Sequence, residues 1–363
     1  MTVPGSRDAE SLQELSREIR AIRLPRRVRL MEVCGGHTAV IHRFVLPALL
    51  PPQIELLSGP GCPVCVTPAK FVDEAVALAA MPNLTITTFG DLLRVPGSHG
   101  SLADARARGG NVRVIYSAGD ALDLARSSPS QTIVLLGIGF ETTACTVAAA
   151  VAQAVDESLP NFRMLSALKT MPAALRVLLS GVDVRVDGLI LPGHVLTVTG
   201  TKPFEFLAEE FGVPGAVAGF EPSDLLESIW MLSRQLSRGC AEVEIQYRRS
   251  VAVEGNRHAQ NVIARILEPS DAEWRGLGSI PGSGLSIRSE YAAWDARDLV
   301  PDLPQVSDNP ACRCGDILTG RAKPIDCPLF GTVCNPESPQ GACMVSSEGA
   351  CAVVLQYSMI ADA

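Results

Sequence analysis

The stretch TIVLLGIGFETTACTVAAAVAQAV, residues 132–155, changes its period half-way along. A short β-branched and leucine run at 132–136 gives way to Gly139-Phe140-Glu141-Thr142-Thr143, and an alanine-rich helical pattern then continues to Val155. A continuous apolar run of that length suits a strand buried on both faces, as in parallel sheets. The glycine turn opens directly into a helix start, where Glu141 and its two threonines can cap free backbone N–H groups. Strand, glycine turn and helix together make the first half of a βαβ unit.

The same unit recurs on both sides. Further strands are predicted at 28–33, 54–57, 84–89, 112–116, 164–167, 188–191 and 216–218, with helices at 69–80, 172–179, 203–211 and 223–236. Strands separated by helices of this length imply parallel sheets and an α/β fold. Their ends run into Cys34-Gly35-Gly36-His37, Gly59-Pro60-Gly61-Cys62, Gly90-Asp91, Gly119-Asp120, Pro192-Gly193-His194 and Gly219-Phe220-Glu221. Ligands of open parallel sheets bind outside the carboxyl ends of the strands, so these loops point to one cleft. The expected organisation is two parallel-sheet α/β lobes around that cleft, at 1–126 and 127–241, divided at the turn-rich Ser127-Ser128-Pro129-Ser130. A smaller C-terminal domain at 242–363 opens with a strand at 243–253 and a helix at 256–267, then turns rich in Gly, Pro and Cys.

Composition narrows the functional classes. Hydrophobic residues make up 47% of the 363 and charged residues 19%, enough apolar material for a large core. The net charge of -8, with no compensating basic run, argues against nucleic acid as a partner. No apolar run reaches the length of a membrane span, and the polar residues 1–10 do not resemble a secretory signal, so a cytoplasmic location is expected. Eleven cysteines in a reducing compartment point to metal binding or thiol chemistry rather than disulfide scaffolding.

Six of the eleven fall between Cys312 and Cys351. Cys312, Cys327, Cys334 and Cys351 are separated by fourteen, six and sixteen residues, without the close pairs usual for zinc. That spacing on irregular backbone favours a [4Fe-4S] cluster over zinc or buried free thiols, with Cys314 and Cys343 as alternative ligands. Cys62 and Cys65 form a CxxC just before a helix, placed either to give one reactive thiolate or to chelate a metal, or else simply to bury two thiols in a turn. Cys34, at a strand end beside Gly35, Gly36 and His37, offers a soft ligand suited to iron, although for the motif alone a core cysteine with a capping histidine is the commoner reading. Glu141 and Glu221 are cap residues that can also face a ligand, and His194 is a candidate proton relay. His42, His99 and His258 carry no motif; Cys145 and Cys240 read as small hydrophobes inside helices.

Together the segments MEVCGGHT (31–38), GPGCPVC (59–65), GFETT (139–143), PGHV (192–195), GFEP (219–222), IPGSGLSIRSEY (280–291) and DCPLFGTVCNPESPQGACMVSSEGAC (326–351) resemble the HypD family of hydrogenase maturation factors. The family's cluster motif, C-x14-C-x6-C-x16-C, falls on Cys312, Cys327, Cys334 and Cys351. The resemblance implies a scaffold for the Fe(CN)2CO unit of nickel–iron hydrogenase, with two α/β lobes and a third domain holding [4Fe-4S]. It implies an Fe(II) shared between Cys34 and the N-terminal cysteine of a small HypC-type partner, and cyanide delivered as a thiocyanate on a HypE-type protein charged by HypF. Cys62 and Cys65 then resemble a redox pair in line with the cluster that can also contact the iron, and His194 and Glu348 match polar residues near the site. Cys145, Trp294 and Cys343 depart from the family pattern. A stand-alone iron–sulfur thiol oxidoreductase is the alternative reading, and a platform without any redox step is a third. Gly137-Ile138-Gly139 is too short for a dinucleotide fingerprint.

Overall fold

A computed structural model describes residues 6–181, 185–304 and 309–361. Eleven strands are present among them: β1 (Val28–Glu32), β2 (Ile54–Ser58), β3 (Leu84–Thr88), β4 (Val112–Val114), β5 (Thr132–Gly139), β6 (Phe162–Lys169), β7 (Gly188–Pro192), β8 (Gly215–Ala218), β9 (Val243–Ile245), β10 (Leu267–Trp274) and β11 (Gly278–Ile287). They form two sheets, one ordered β2-β1-β7-β8-β9 and the other β10-β11-β6-β5-β3-β4. The first is parallel throughout; the second is parallel from β6 to β4, with β11 and β10 antiparallel at its edge. The fold is therefore α/β with mainly parallel sheets, as the period changes in the sequence imply.

The apolar runs behave as doubly covered strands should. Every residue of β3 and β7, and all of β5 after Thr132, is buried. The helix Glu141–Asp156 follows β5 as expected and buries Ala144, Val147, Ala148 and Val151. No helix among the described residues is long and apolar enough to cross a membrane.

The chain does not complete one sheet before starting the other. It lays down β1 and β2 in the first sheet, β3 to β6 in the second, β7 to β9 in the first again, and β10 and β11 in the second. The limits expected from sequence thus do not coincide with the sheets: β3 and β5, on either side of residue 127, are hydrogen-bonded neighbours, and β1 pairs with β7. Part of the stretch expected as a C-terminal domain, β10 and β11, extends the second sheet through β6. The strand expected at 243–253 stops at Ile245, where the chain turns and the N–H groups of Gln246 and Tyr247 both reach the Val217 carbonyl. The helix expected at 203–211 is a 3-10 turn, Lys202–Phe204, followed by the single turn Phe206–Glu209.

This winding places two topological switch points. In the first sheet β1 lies between β2 and β7; in the second β3 lies between β4 and β5. Connections diverge to opposite sides there, opening a crevice beyond the strand ends. Cys34 follows β1, and Asp91 follows β3.

Candidate metal centre

Cys34 occupies the cap position before the helix Gly35–Arg43, with extended backbone (φ -152, ψ 120). Glu32, nearly fully buried, organises this turn: one carboxyl oxygen accepts the Cys34 N–H at 2.9 Å, and the other accepts the Thr38 hydroxyl at 2.5 Å. Gly35 leaves room for Glu348, whose Cβ would lie 2.5 Å from any Cβ added there. A Cβ at Gly36 would lie 3.7 Å from the Cys34 sulfur and 3.3 Å from the Phe220 ring. Burial pushes the Cys34 thiol up to about 12, with the Glu348 and Glu32 carboxyls adding to the rise; N–H groups of His37 and Gly36 oppose it. A bare Cys34 is thus a protonated thiol at neutral pH, and a metal cation can take the proton's place.

The loop after β2 packs onto this turn through backbone. The Gly35 N–H donates to the Gly61 carbonyl at 3.1 Å, and a Cβ on Gly61 would fall 2.1 Å from the Cys34 nitrogen. Cys62 and Cys65 follow at once, joined in a disulfide with Cα atoms 5.2 Å apart, both buried. The Cys65 sulfur lies 3.9 Å from the Ala342 carbonyl, next to Cys343.

Beyond Ala342, six cysteines line a single cavity: Cys312, Cys314, Cys327, Cys334, Cys343 and Cys351. Burial pushes Cys312 up to about 12, with Cys314, Cys327 and Cys334 adding to it. Cys343 is raised well above its ordinary value by the neighbouring thiols of Cys314 and Cys351. Among the described residues no three side chains are placed to hold a single metal ion. In a [4Fe-4S] cluster each of four cysteines binds a different iron, so a ring of thiols around a cavity fits that group by donor type and number. Cys343 and Cys314 stand in the same ring as the four cysteines of the spacing motif, so the fit is to six candidate donors.

The second switch point reaches the first through the segment preceding Cys351. The Ser346 hydroxyl donates to Asp91 at 2.8 Å. The Glu348 carboxyl is raised by its crowded surroundings and by the charge of Asp91, although its side chain reaches the surface. Cys34, Glu348 and Asp91 thus connect the two crevices. On the far side of Cys34 the Phe220 ring lies between His37 (centroids 4.9 Å apart) and His194 (3.8 Å, stacked).

Comparison with known proteins bears on the family. The family model described as "HypD: Hydrogenase formation hypA family" matches residues 10–358. The chain is 47% identical over 361 residues to the hydrogenase maturation factor HypD of Rhizobium leguminosarum bv. viciae, covering 97% of this chain and 94% of that protein. Against the HypD of Escherichia coli (strain K12) it is 47% identical over 334 residues, covering 92% and 90%. The chain belongs to the HypD family.

Within this HypD-family chain, other expected residues fall differently. Glu221 is a cap: its side chain and that of Asp224 close a capping box on the helix Pro222–Arg238. Glu141 is buried, its carboxyl raised to about 7 by that burial; one oxygen accepts the Met171 N–H at 2.9 Å, and the other has no partner. Cys240 is exposed rather than a core residue, because the helix ends at Gly239. Glu32 and Phe220 had no role assigned from sequence. The available signal for Glu32 was an acid inside the apolar run VRLMEV, two residues before Cys34.

His37 gives the site a pH signature. It is fully buried, and burial holds its pKa down at about 4, outweighing the backbone of Gly219 and Ala218, which raises it. Between pH 4 and 6.5 the unfolded chain binds a proton here that the fold refuses. Stability is therefore lost as pH falls through that window, by about 3 kcal/mol over the full range. Glu32 acts in the opposite sense, because its pKa is raised to about 8 and the folded state loses stability as pH rises from 4.5 toward 8. A His37→Phe variant should flatten the acid side alone, read as the urea midpoint relative to the parent at pH 7 and pH 4.5. An unchanged difference at the two pH values would contradict the assignment.

Proposed function

We propose that this chain acts as a hydrogenase maturation factor, holding an Fe(II) at Cys34 while cyanide and carbonyl ligands are added to make the Fe(CN)2CO unit. The supporting observation is the backbone contact of Gly61 with Cys34, which packs the loop leading into Cys62 and Cys65 onto the Cys34 turn at the first switch point. The HypC-type partner supplies a second thiolate to the iron, and the HypE-type partner supplies cyanide as a thiocyanate.

The chemistry requires electrons. Cleaving S–CN to a thiol and cyanide takes two electrons, and closing the Cys62/Cys65 dithiol to a disulfide releases two electrons and two protons. One proton goes to the donor's thiolate and the other to solvent, while cyanide goes to the iron. Glu32 and the N–H groups of His37 and Gly36 fix the Cys34 turn so that its sulfur can meet the iron. The stacked Phe220 closes one side, and Glu348 with Asp91 supplies negative charge opposite. A [4Fe-4S] cluster held by Cys312, Cys327, Cys334 and Cys351 would supply single electrons to reopen the disulfide.

Purified without oxygen, the chain should be brown and carry about four irons in the cysteine cavity. Cys351→Ser should remove them and Cys343→Ser should not. Zinc in place of iron, or loss of iron only on changing Cys343, would overturn the ligand assignment.

A further inference from the structure

The turn between β10 and β11 touches both sulfur-bearing segments. Arg275, 6% exposed, donates to the Thr67 carbonyl through Nε (3.2 Å) and Nη2 (3.0 Å), and its backbone N–H donates to the Val66 carbonyl at 2.9 Å. Those carbonyls end the turn that begins at Cys62: the Val66 N–H bonds back to the Cys62 carbonyl, and the Thr67 hydroxyl to that of Pro63. The next residue, Gly276 (φ +82), is pressed against Gly315, where an added Cβ would fall 2.5 Å from the Gly315 Cα. Gly315 follows Cys314, and a cavity of about 310 Å3 is lined by Arg275, Gly276, Cys312, Cys314 and Gly315. The tip is itself held rigid: Trp274 is buried, its indole N–H donates to the Ser283 hydroxyl at 2.8 Å, and its ring lies against Phe140.

We propose that Arg275 is a positioning residue that sets the thiol–disulfide equilibrium of Cys62 and Cys65, by tying their turn to the wall of the cysteine cavity at Gly315. The proposal deepens the reading above and rests on it for its purpose. Two donors in a planar fork aimed at one buried carbonyl cannot be reproduced by a lysine, which offers a single point charge. The clamp holds the two cysteines at the separation a disulfide needs, so its removal lowers their effective concentration toward each other. Gly315 is the second contact point, so bulk added there pushes on the tip and reaches the pair through Arg275.

The test uses the full-length chain, purified with its iron, in glutathione buffers of graded ratio. The reaction read is disulfide plus two glutathione thiols going to the dithiol plus oxidised glutathione. The state of the peptide carrying Cys62 and Cys65 is followed by thiol trapping and mass spectrometry. For Arg275→Gln the equilibrium should move about tenfold toward the dithiol, the scale of one lost charge-assisted hydrogen bond. Arg275→Lys should fall between the variant and the parent, with iron content and circular dichroism unchanged. Gly315→Ala should shift the equilibrium in the parent and add nothing in the Arg275→Gln background. Equilibria within twofold of the parent for both Arg275 variants overturn the proposal, as does a Gly315→Ala shift that survives loss of the arginine. Should Arg275→Gln fail to fold, Arg275→Lys with Gly315→Ala carries the same decision. Because the readout is a thiol equilibrium, it stands apart from the maturation reading, whose own failure would show as unaltered cofactor loading in Cys62→Ser.

Discussion

Replacing Gly61 with alanine is expected to destabilise the chain by at least about 3 kcal/mol and to abolish iron–ligand assembly in whatever folds. The added methyl would fall 2.1 Å from the Cys34 nitrogen, 2.3 Å from the Val33 carbonyl carbon and 2.5 Å from the Cys34 Cα. All three obstacles are backbone, and the Val33–Cys34 segment is pinned by the Glu32 carboxyl group and by its Val33 N–H bond to the Ile190 carbonyl in β7. No side-chain rotation relieves the overlap. Relief requires moving the CPVC loop away from Cys34, which breaks the 3.1 Å bond from the Gly35 N–H to the Gly61 carbonyl and separates the dithiol from the sulfur it serves. Gly119→Ala is the control: its nearest neighbour would be the Ser117 hydroxyl at 3.5 Å, in the first turn of a helix, and it should change stability by no more than about 1 kcal/mol. Urea midpoints measure the first effect, and infrared bands of the partner complex measure the second. Equal midpoints for the two variants would show that the close packing of Gly61 on Cys34 is not a feature of the folded protein.

The α/β class was legible because the central strands are short apolar runs and several helices begin at glycine turns, as in residues 132–155. Which sheet a strand joins was not legible. β7 carries the same doubly buried pattern as β5, β1 departs from it only at Arg29, and nothing in those local patterns says that β1 pairs with β7 across the whole second sheet. The β10–β11 hairpin escaped because Pro269, Gly282 and Gly284 break the expected strand composition, and because its register shifts between Ser270 and Ala272. At the site, Cys34, Cys62 and Cys65 stood out by residue type and spacing. Glu32 and Arg275 did not, since an acid in a strand and an arginine in a turn read as solvated surface until the fold buries them. Asp91 sits in a glycine turn like several others, and only the strand order places it at the second switch point.

The account rests on one sulfur. Cys34 is half-buried, its thiol pKa is pushed up by burial, and its turn packs against the loop that leads into the buried Cys62/Cys65 pair. Its replacement by alanine removes the sulfur that the His37 and Gly36 N–H groups reach, but the turn keeps its other bonds: Glu32 holds the Cys34 backbone N–H, and Thr38 is held by Glu32 and by the residue-34 carbonyl. Cys34→Ala should therefore fold, keep its brown colour and cost no more than about 2 kcal/mol in stability. Its effect on assembly should be complete, because the thiols on the neighbouring loop, Cys62 and Cys65, are buried and joined in a disulfide. The measurement is infrared spectroscopy of the chain co-purified with its small partner, parent against Cys34→Ala. Cyanide and carbonyl stretches in the parent and their absence in the variant are the predicted result; the same stretches at full intensity in Cys34→Ala would contradict it.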